Sequence, residues 1–508
     1  MLYLQQNKER LVLNKQTTQV INKAFDLILF GGTGDLSLRK LLPSMFRAFI
    51  DGEIPDGSRI FVCTRKQKEF DEILSVIKIA FKNYMLEGEF NDTQFDQFGK
   101  VIHPVIIDVT DYQKGWEKLK TQFKQRKLNP RIFYLAIIPN IYGDCCQNIS
   151  KSGLITDNTR VIVEKPIGYD QDSAEQINQT IAQYFSEPQI YRIDHYLGKE
   201  TVQNLLALRF GNSLFENLWD AKSIDHIQIS INEQVGLEGR AGFYDGAGAM
   251  RDMVQNHLLQ LLSLIAMESP NKMTADNIRA EKIKVIQALR PIVEDDVKNH
   301  TVSGQYVAGN VNNKLESGYL EELAASSNKT TSKTETFVAI RAFIDNWRWS
   351  KVPFYLRTGK RLARRSAEIT IQFKNVSHNA FGIEAGNLSP NRLVIQLQPE
   401  ERIQLHLMAK DMTQLKTVLK PVKLDLNFTE SSNGFKSFGY KRLLLDAIAG
   451  NATLFIHRDE GSAAWQWIDP ILKYWKDEDV SPHLYRAGSW GPEDANKLIT
   501  NDQREWQN

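Results

Sequence analysis

At residues 192–200 the chain reads RIDHYLGKE, which sets His195 and Lys199 four residues apart with Asp194 beside them. On a helix that spacing puts two cations on one face, where like charges repel. An anion held between them would turn the repulsion into attraction, so the pattern points to a site for a negatively charged ligand. His257 is a second candidate. It falls among Val254, Leu258, Leu261, Leu262 and Ile265 in AMRDMVQNHLLQLLSLIAME (249–268), an apolar stripe that predicts one buried helix face. A buried imidazole is most often a core residue with a hydrogen-bond partner. A carboxylate partner would raise its pKa into the range of a general base. Asp252 lies five residues earlier, about 140° round an ideal α-helix at roughly 100° per residue. The expected partner therefore comes from elsewhere, and Asp194 is the candidate.

A glycine-rich turn offers different chemistry. AFDLILF (24–30) runs into GGTGDLSLRKLLPSMF, a strand, a turn and a helix in the order a dinucleotide site needs. Glycines permit the tight turn and close backbone approach, and the helix N-terminus presents free N–H groups to a pyrophosphate. Gly31, Gly32, Thr33, Gly34, Asp35 and Leu36 form this loop, with Gly31-x-x-Gly34-x-x-Ser37 as a relaxed form of the usual fingerprint. The next strand, RIFVCT (59–64), ends in Thr64-Arg65-Lys66, where an NAD-selective site would carry an acidic residue. A guanidinium at that place can stack on adenine and pair with a 2′-phosphate, so Arg65 favours NADP, with NAD as the weaker alternative. Lys165, in EKPIGYD (164–170), closes another strand and is placed to reach cofactor or substrate oxygens; an ion pair with Glu164 is the blander reading.

These groups need a scaffold. In the first 200 residues short apolar runs (AFDLILF, RIFVCT, RIFYLAI at 131–137, RVIVEKP at 160–166) alternate with amphipathic segments. That pattern predicts an α/β Rossmann-type domain with a parallel sheet covered on both faces. After about residue 210, period-two alternation appears at IQISI (227–231), EITIQF (368–373), LVIQLQ (393–398), IQLHLM (403–408) and VKLDLNF (422–428). Those runs predict half-solvated strands of a large, mainly antiparallel sheet in a β+α domain. The expected division is a polar, loosely ordered leader at 1–23, a coenzyme domain at 24–198 and a substrate-binding and oligomerisation domain at 199–508. The boundary then runs close to RIDHYLGKE, and ligands favour clefts between domains.

With 508 residues, 42% hydrophobic and 24% charged, the chain has the composition of an ordinary globular protein. A net charge of +2, from 63 basic and 61 acidic residues, gives no reason to expect nucleic acid or an anionic membrane. The three cysteines, Cys63, Cys145 and Cys146, make neither a disulfide framework nor a zinc-ligand spacing. Reduced thiols and the lack of an apolar signal core point to the cytoplasm.

Taken together, GGTGDLSLRKLLPSMF, EKPIGYD, RIDHYLGKETVQN, RAGFYDGAGAMRDMVQNHLLQ, TETFVAIRAFIDNWRW, VPFYLRTGKRL and YRAGSWGP resemble the glucose-6-phosphate dehydrogenase family along residues 24–493. The resemblance implies oxidation of D-glucose 6-phosphate to 6-phospho-D-glucono-1,5-lactone with NADP⁺, no metal, and a homodimer or homotetramer. It implies His257 as general base oriented by Asp194, and a phosphate held by His195, Tyr196, Lys199 and Arg365. It further places Lys165 against both substrate and nicotinamide, and Glu233, Asp252 and Lys360 on the sugar, with Gln398 a weaker match. The chain departs from the family pattern at Ile138, Ile167 and Ser303. Two other readings are weighed against this one. The E-K-P strand end also occurs in glucose–fructose oxidoreductase-like proteins, but these lack RIDHYLGKE. A non-catalytic nucleotide sensor would not need His257, Asp194 and Lys199 together.

Overall fold

The computed structural model describes residues 21–66, 69–85, 88–126, 128–327, 329–382, 385–427 and 439–508. The leader expected at 1–23 lies, but for residues 21–23, outside the described residues. The chain forms two compact units: Met1–Gly168 with Asp172–Gly198 and Ser437–Arg458, and Tyr169–Gln171 with Lys199–Lys436 and Asp459–Asn508.

The first unit is built on β1 (Asp26–Phe30), β2 (Arg59–Thr64), β3 (Ile102–Ile106), β4 (Arg131–Leu135), β5 (Thr159–Val163) and β6 (Ile190–Ile193). They are parallel and lie in the order β6-β5-β4-β1-β2-β3, with the short strand Phe455–Ile456 added antiparallel beyond β6. This is the doubly wound order whose reversal, between β1 and β4, opens a ligand crevice at the strands' carboxyl ends. β1 and β4 are buried along their whole length, as continuous apolar runs require. Two strands carry no such run and escaped the sequence reading. β3 contains Pro104 and lies at the sheet edge, where a missing N–H is tolerated. β6 buries Arg192, whose guanidinium donates to Glu187 at 2.6 and 3.0 Å and to Asn178 at 3.0 Å.

The second unit carries β7 (Ile224–Asn232), β8 (Thr301–Val307), β9 (Gly309–Val311), β10 (Lys314–Glu316), β11 (Phe337–Ala342), β12 (Phe354–Gly359), β13 (Ser366–Phe373), β14 (Arg392–Gln398), β15 (Arg402–Lys410) and β16 (Leu419–Asn427). After β17, the Phe455–Ile456 strand of the first unit, β18 (His483–Arg486) completes the nine-stranded order β16-β15-β14-β13-β7-β12-β11-β8-β18. Pairing is antiparallel except for β7–β12 and β8–β18. The alternation in IQISI predicted one wet face, but β7 is buried on both. Gln228 donates to the Glu505 carbonyl at 2.8 Å and accepts from the Gln507 amide at 2.9 Å, so the last residues cover its polar side.

The segment predicted as one helix over 249–268 is three pieces. An α-helix spans Ala241–Ala249 with a break at Gly248 (φ 70°), a π-helix spans Met250–Leu258, and an α-helix spans Leu259–Ala266. The predicted apolar stripe is buried throughout. The 140° estimate fails, however, because π-helical i→i+5 bonding brings residues five apart close to one turn. Asp252 and His257 therefore lie nearer one face than α-geometry allows.

Candidate active site

In the first unit, chain geometry rather than side chains shapes the glycine loop. Gly31 has φ 80°, and a Cβ there would stand 2.2 Å from the Ala136 carbonyl oxygen. At Gly32 an added Cβ would meet Val62 at 2.7 Å, and its amide donates to the Cys63 carbonyl at 2.9 Å. The loop thus threads between the ends of β1, β2 and β4. The Gly34 amide and the buried Ser37 hydroxyl both donate to the Gly31 carbonyl at 2.9 Å, which closes the turn as the helix starts at Asp35. The first helical turn, whose N–H groups lack helical partners, thus begins directly after the loop that follows β1. Thr33 reaches Thr64, at the end of β2, at 3.3 Å. Beyond it Arg65 and Lys66 are exposed. Asp108 is held below the usual carboxylate range, first by hydrogen bonds from Thr110 and in part by the Arg65 charge.

Lys165 follows β5, and Asp194 follows β6. Glu164, beside Lys165, is hydrogen-bonded by the Tyr134 and Tyr440 hydroxyls; burial pushes its pKa up, against those bonds and the Lys165 charge. Asp194 is buried, and its Oδ1 accepts the Tyr196 amide at 2.9 Å, an Asx turn that fixes the chain after β6. The His195 ring lies 4.9 Å from that of Tyr196 and nearly parallel to Tyr440 at 6.4 Å. This corrects the helical premise for RIDHYLGKE. Residues 195–198 form a turn, and Lys199 is the extended N-cap (ψ 139°) of the helix Glu200–Phe210. His195 and Lys199 therefore do not share a helix face, and the division between units falls at Gly198/Lys199.

In the second unit Lys199 Nζ donates to the Leu397 carbonyl at 3.2 Å. Burial lowers its pKa to about 8; the Glu401 charge opposes this and Arg365 adds to it. Arg365, itself exposed, is thus felt at Lys199. Glu233 and Lys360 follow directly on the paired ends of β7 and β12, and Lys360 Nζ meets Glu233 Oε2 at 2.7 Å. Lys360 also lies 4.9 Å from the Tyr244 ring centroid. His257 is completely buried in the π-helix, with its amide on Asn256 Oδ1 at 2.6 Å, and Asp252 is half-buried in the same segment.

The sequence candidates thus fall into two sets. The first unit holds the glycine loop, Arg65, Lys165, Asp194, His195 and Tyr196; the second holds Lys199, Glu233, Asp252, His257, Lys360 and Arg365. Tyr134, Tyr440 and Glu335 went unremarked as single residues. Tyr440 comes from a segment some 240 residues later in the chain than His195, and no local pattern signals its return.

A Rossmann-type sheet with a glycine turn at its first strand, joined in one chain to a unit bearing a buried imidazole and paired carboxylate and ammonium groups, defines a nicotinamide-dependent oxidoreductase. The comparisons name the family. Residues 28–204 match the model of the glucose-6-phosphate dehydrogenase NAD binding domain, and residues 206–507 match that of the C-terminal domain. The chain belongs to the glucose-6-phosphate dehydrogenase family. It is 49% identical to glucose-6-phosphate 1-dehydrogenase of Rhizobium meliloti over 482 residues, which cover 95% of this chain and 97% of that one. The enzyme of Zymomonas mobilis is 45% identical, with 96% and 99% covered. A solved glucose-6-phosphate dehydrogenase in complex with its substrate glucose-6-phosphate is similar at TM-score 0.86 and 32% identity, with 96% and 99% covered. The cofactor is a nicotinamide dinucleotide. No helix among the described residues is long and apolar enough to cross a membrane.

Proposed function

We propose that the protein oxidises D-glucose 6-phosphate to 6-phospho-D-glucono-1,5-lactone, passing the C1 hydride to NADP⁺, the entry step of the oxidative pentose phosphate pathway. The cofactor accepts the hydride. The protein's part is to take the C1 hydroxyl proton and to hold the sugar. His257 is the base and Asp194 orients its ring and supports the charge it gains. His195, Tyr196, Lys199 and Arg365 bind the phosphate, while Lys165, Glu233, Asp252 and Lys360 bind the sugar and its reacting end. Gly31, Gly32, Thr33, Gly34, Asp35 and Leu36 receive the pyrophosphate, Arg65 the 2′-phosphate, and Lys165 the nicotinamide side. The family resemblance supports these roles, together with a homodimeric or homotetrameric assembly and a cytoplasmic setting for three buried, unpaired thiols.

One observation carries the reading. The Lys199 ammonium is half-buried, with the Arg365 charge in its field, and burial lowers its pKa to about 8. Such a place is costly when empty and favourable when a dianion enters. Binding energy spent on a remote phosphate can then hold C1 against the nicotinamide. The test is the rate of coenzyme reduction with glucose 6-phosphate against free glucose. A preference of orders of magnitude for the ester is expected, and equal rates would remove the phosphate site.

A further inference from the structure

The π-helical segment that carries Asp252 and His257 starts abruptly, after the break at Gly248, and its first N–H groups need partners. One residue meets two of them. The Ala249 amide donates to the Glu335 carbonyl at 2.9 Å, and the Met250 amide donates to Glu335 Oε1 at 2.9 Å. Gly248 makes room for this: a Cβ at that residue would lie 2.3 Å from Glu335 Oε1, and its φ of 70° is one that side chains rarely adopt. Glu335 is buried and has no ion-pair partner among the described residues; burial raises its pKa against the Met250 bond. A buried carboxylate is expensive unless its bonds do something particular.

The next residue reaches the other side of the site. The Thr336 carbonyl accepts the Lys360 amide at 2.9 Å, and the Tyr485 hydroxyl, 3.0 Å from Thr336 Oγ1, donates to the Lys360 carbonyl at 2.7 Å. Glu335 and Thr336, just ahead of the interior strand β11, therefore hold the start of the His257 segment and the backbone of Lys360 through consecutive residues.

We propose that Glu335 is a positioning residue for the oxidation: its carboxylate caps the segment bearing His257 and, through Thr336, sets that segment in register with Lys360 and its partner Glu233. The proposal rests on the reading of His257 as the base. A helix start held from one side chain transmits a small shift to every residue behind it, and misplacement by an ångström is enough to cost a large factor in rate.

The test measures kcat and KM per folded molecule for Glu335→Ala, Glu335→Gln and Gly248→Ala. Glu335→Ala should lower kcat at least tenfold while KM for glucose 6-phosphate changes by less than threefold. Glu335→Gln, which keeps an oxygen for the Met250 amide, should restore most of the loss. Gly248→Ala, which pushes into the carboxylate, should resemble Glu335→Ala. Adding Glu335→Ala to His257→Asn should cost much less than the product of the two single losses, since most of its effect runs through the same imidazole. Unchanged kcat in Glu335→Ala, or losses that multiply in the double variant, would overturn the proposal. Native turnover in His257→Asn alone would instead strike at the base assignment, so the two failures read differently.

Discussion

The glycine loop of the first unit and the candidate site of the second use the chain in opposite ways. Between Gly31 and Ser37 the proposed working parts are main-chain groups, and side chains matter chiefly by being absent. In the second unit the proposed working parts are side chains delivered from separate elements: Lys199 at a helix N-cap, Glu233 after β7, His257 in a π-helix and Lys360 after β12. A site made of backbone occupies one short stretch, tolerates many substitutions and fails when a Cβ is added. A site made of side chains is spread along the sequence, and each truncation removes a function outright.

The largest expected effect tests the side-chain half of that contrast. His257→Asn should lower kcat by about 10²- to 10⁴-fold, the range for a lost general base, while sugar phosphate still binds. Stopped assays on folded variant protein, with substrate binding followed separately, check this. Near-native turnover would show that the imidazole is only a core residue.

Lys199→Ala should act on KM instead, raising it for glucose 6-phosphate by about 10- to 100-fold, as for a lost charged hydrogen bond of about 1.5–3 kcal/mol. The pH dependence follows the same residue. Its pKa lies near 8, below the usual lysine value, so the ammonium is present below about pH 8 and lost above it. A sugar phosphate becomes fully dianionic only above its second pKa of about 6. KM should therefore be lowest between these limits and climb through pH 8, and Lys199→Arg should move the climb upward. A flat KM from pH 7 to pH 9.5 would deny Lys199 the phosphate.

Gly31→Ala tests the backbone half. Strain at φ 80° and the 2.2 Å approach to Ala136 should destabilise the protein by about 1–3 kcal/mol and weaken the coenzyme. Thermal melting and coenzyme titration measure both. A variant that keeps native melting and affinity would mean that the loop has room the geometry does not show.

This contrast also explains what was legible in the sequence. The glycine turn and the four uninterrupted apolar strands around it could be read directly, because a local pattern encodes each of them. β3 and β6 were hidden by Pro104 and Arg192, which only an edge position and a Glu187 partner make acceptable. The residues of the candidate site in the second unit could be named but not placed. RIDHYLGKE suggested a helical face where the chain makes a turn, because the Asp194 carboxylate captures the Tyr196 amide in preference to helix continuation. The π-helix was equally invisible. It begins after a break at Gly248 and accepts a cap from Glu335, 87 residues further along the chain, and no window on 249–268 contains that cap.

Arg65 combines the two modes, as a side chain proposed to act beside the backbone-made glycine loop, and its effect should be the smallest. It is exposed at the end of β2, so water screens it and its removal disturbs no packing. Arg65→Ala should weaken NADP⁺ by about tenfold, near 1.4 kcal/mol, and leave NAD⁺ almost unchanged. The quantity to measure is therefore the ratio of the two coenzyme affinities, since a general loss of loop structure would lower both together. If the ratio holds while both affinities fall, Arg65 supports the loop and does not read the 2′-phosphate. If the ratio moves alone, coenzyme choice is a side-chain function placed on a backbone that accepts either dinucleotide.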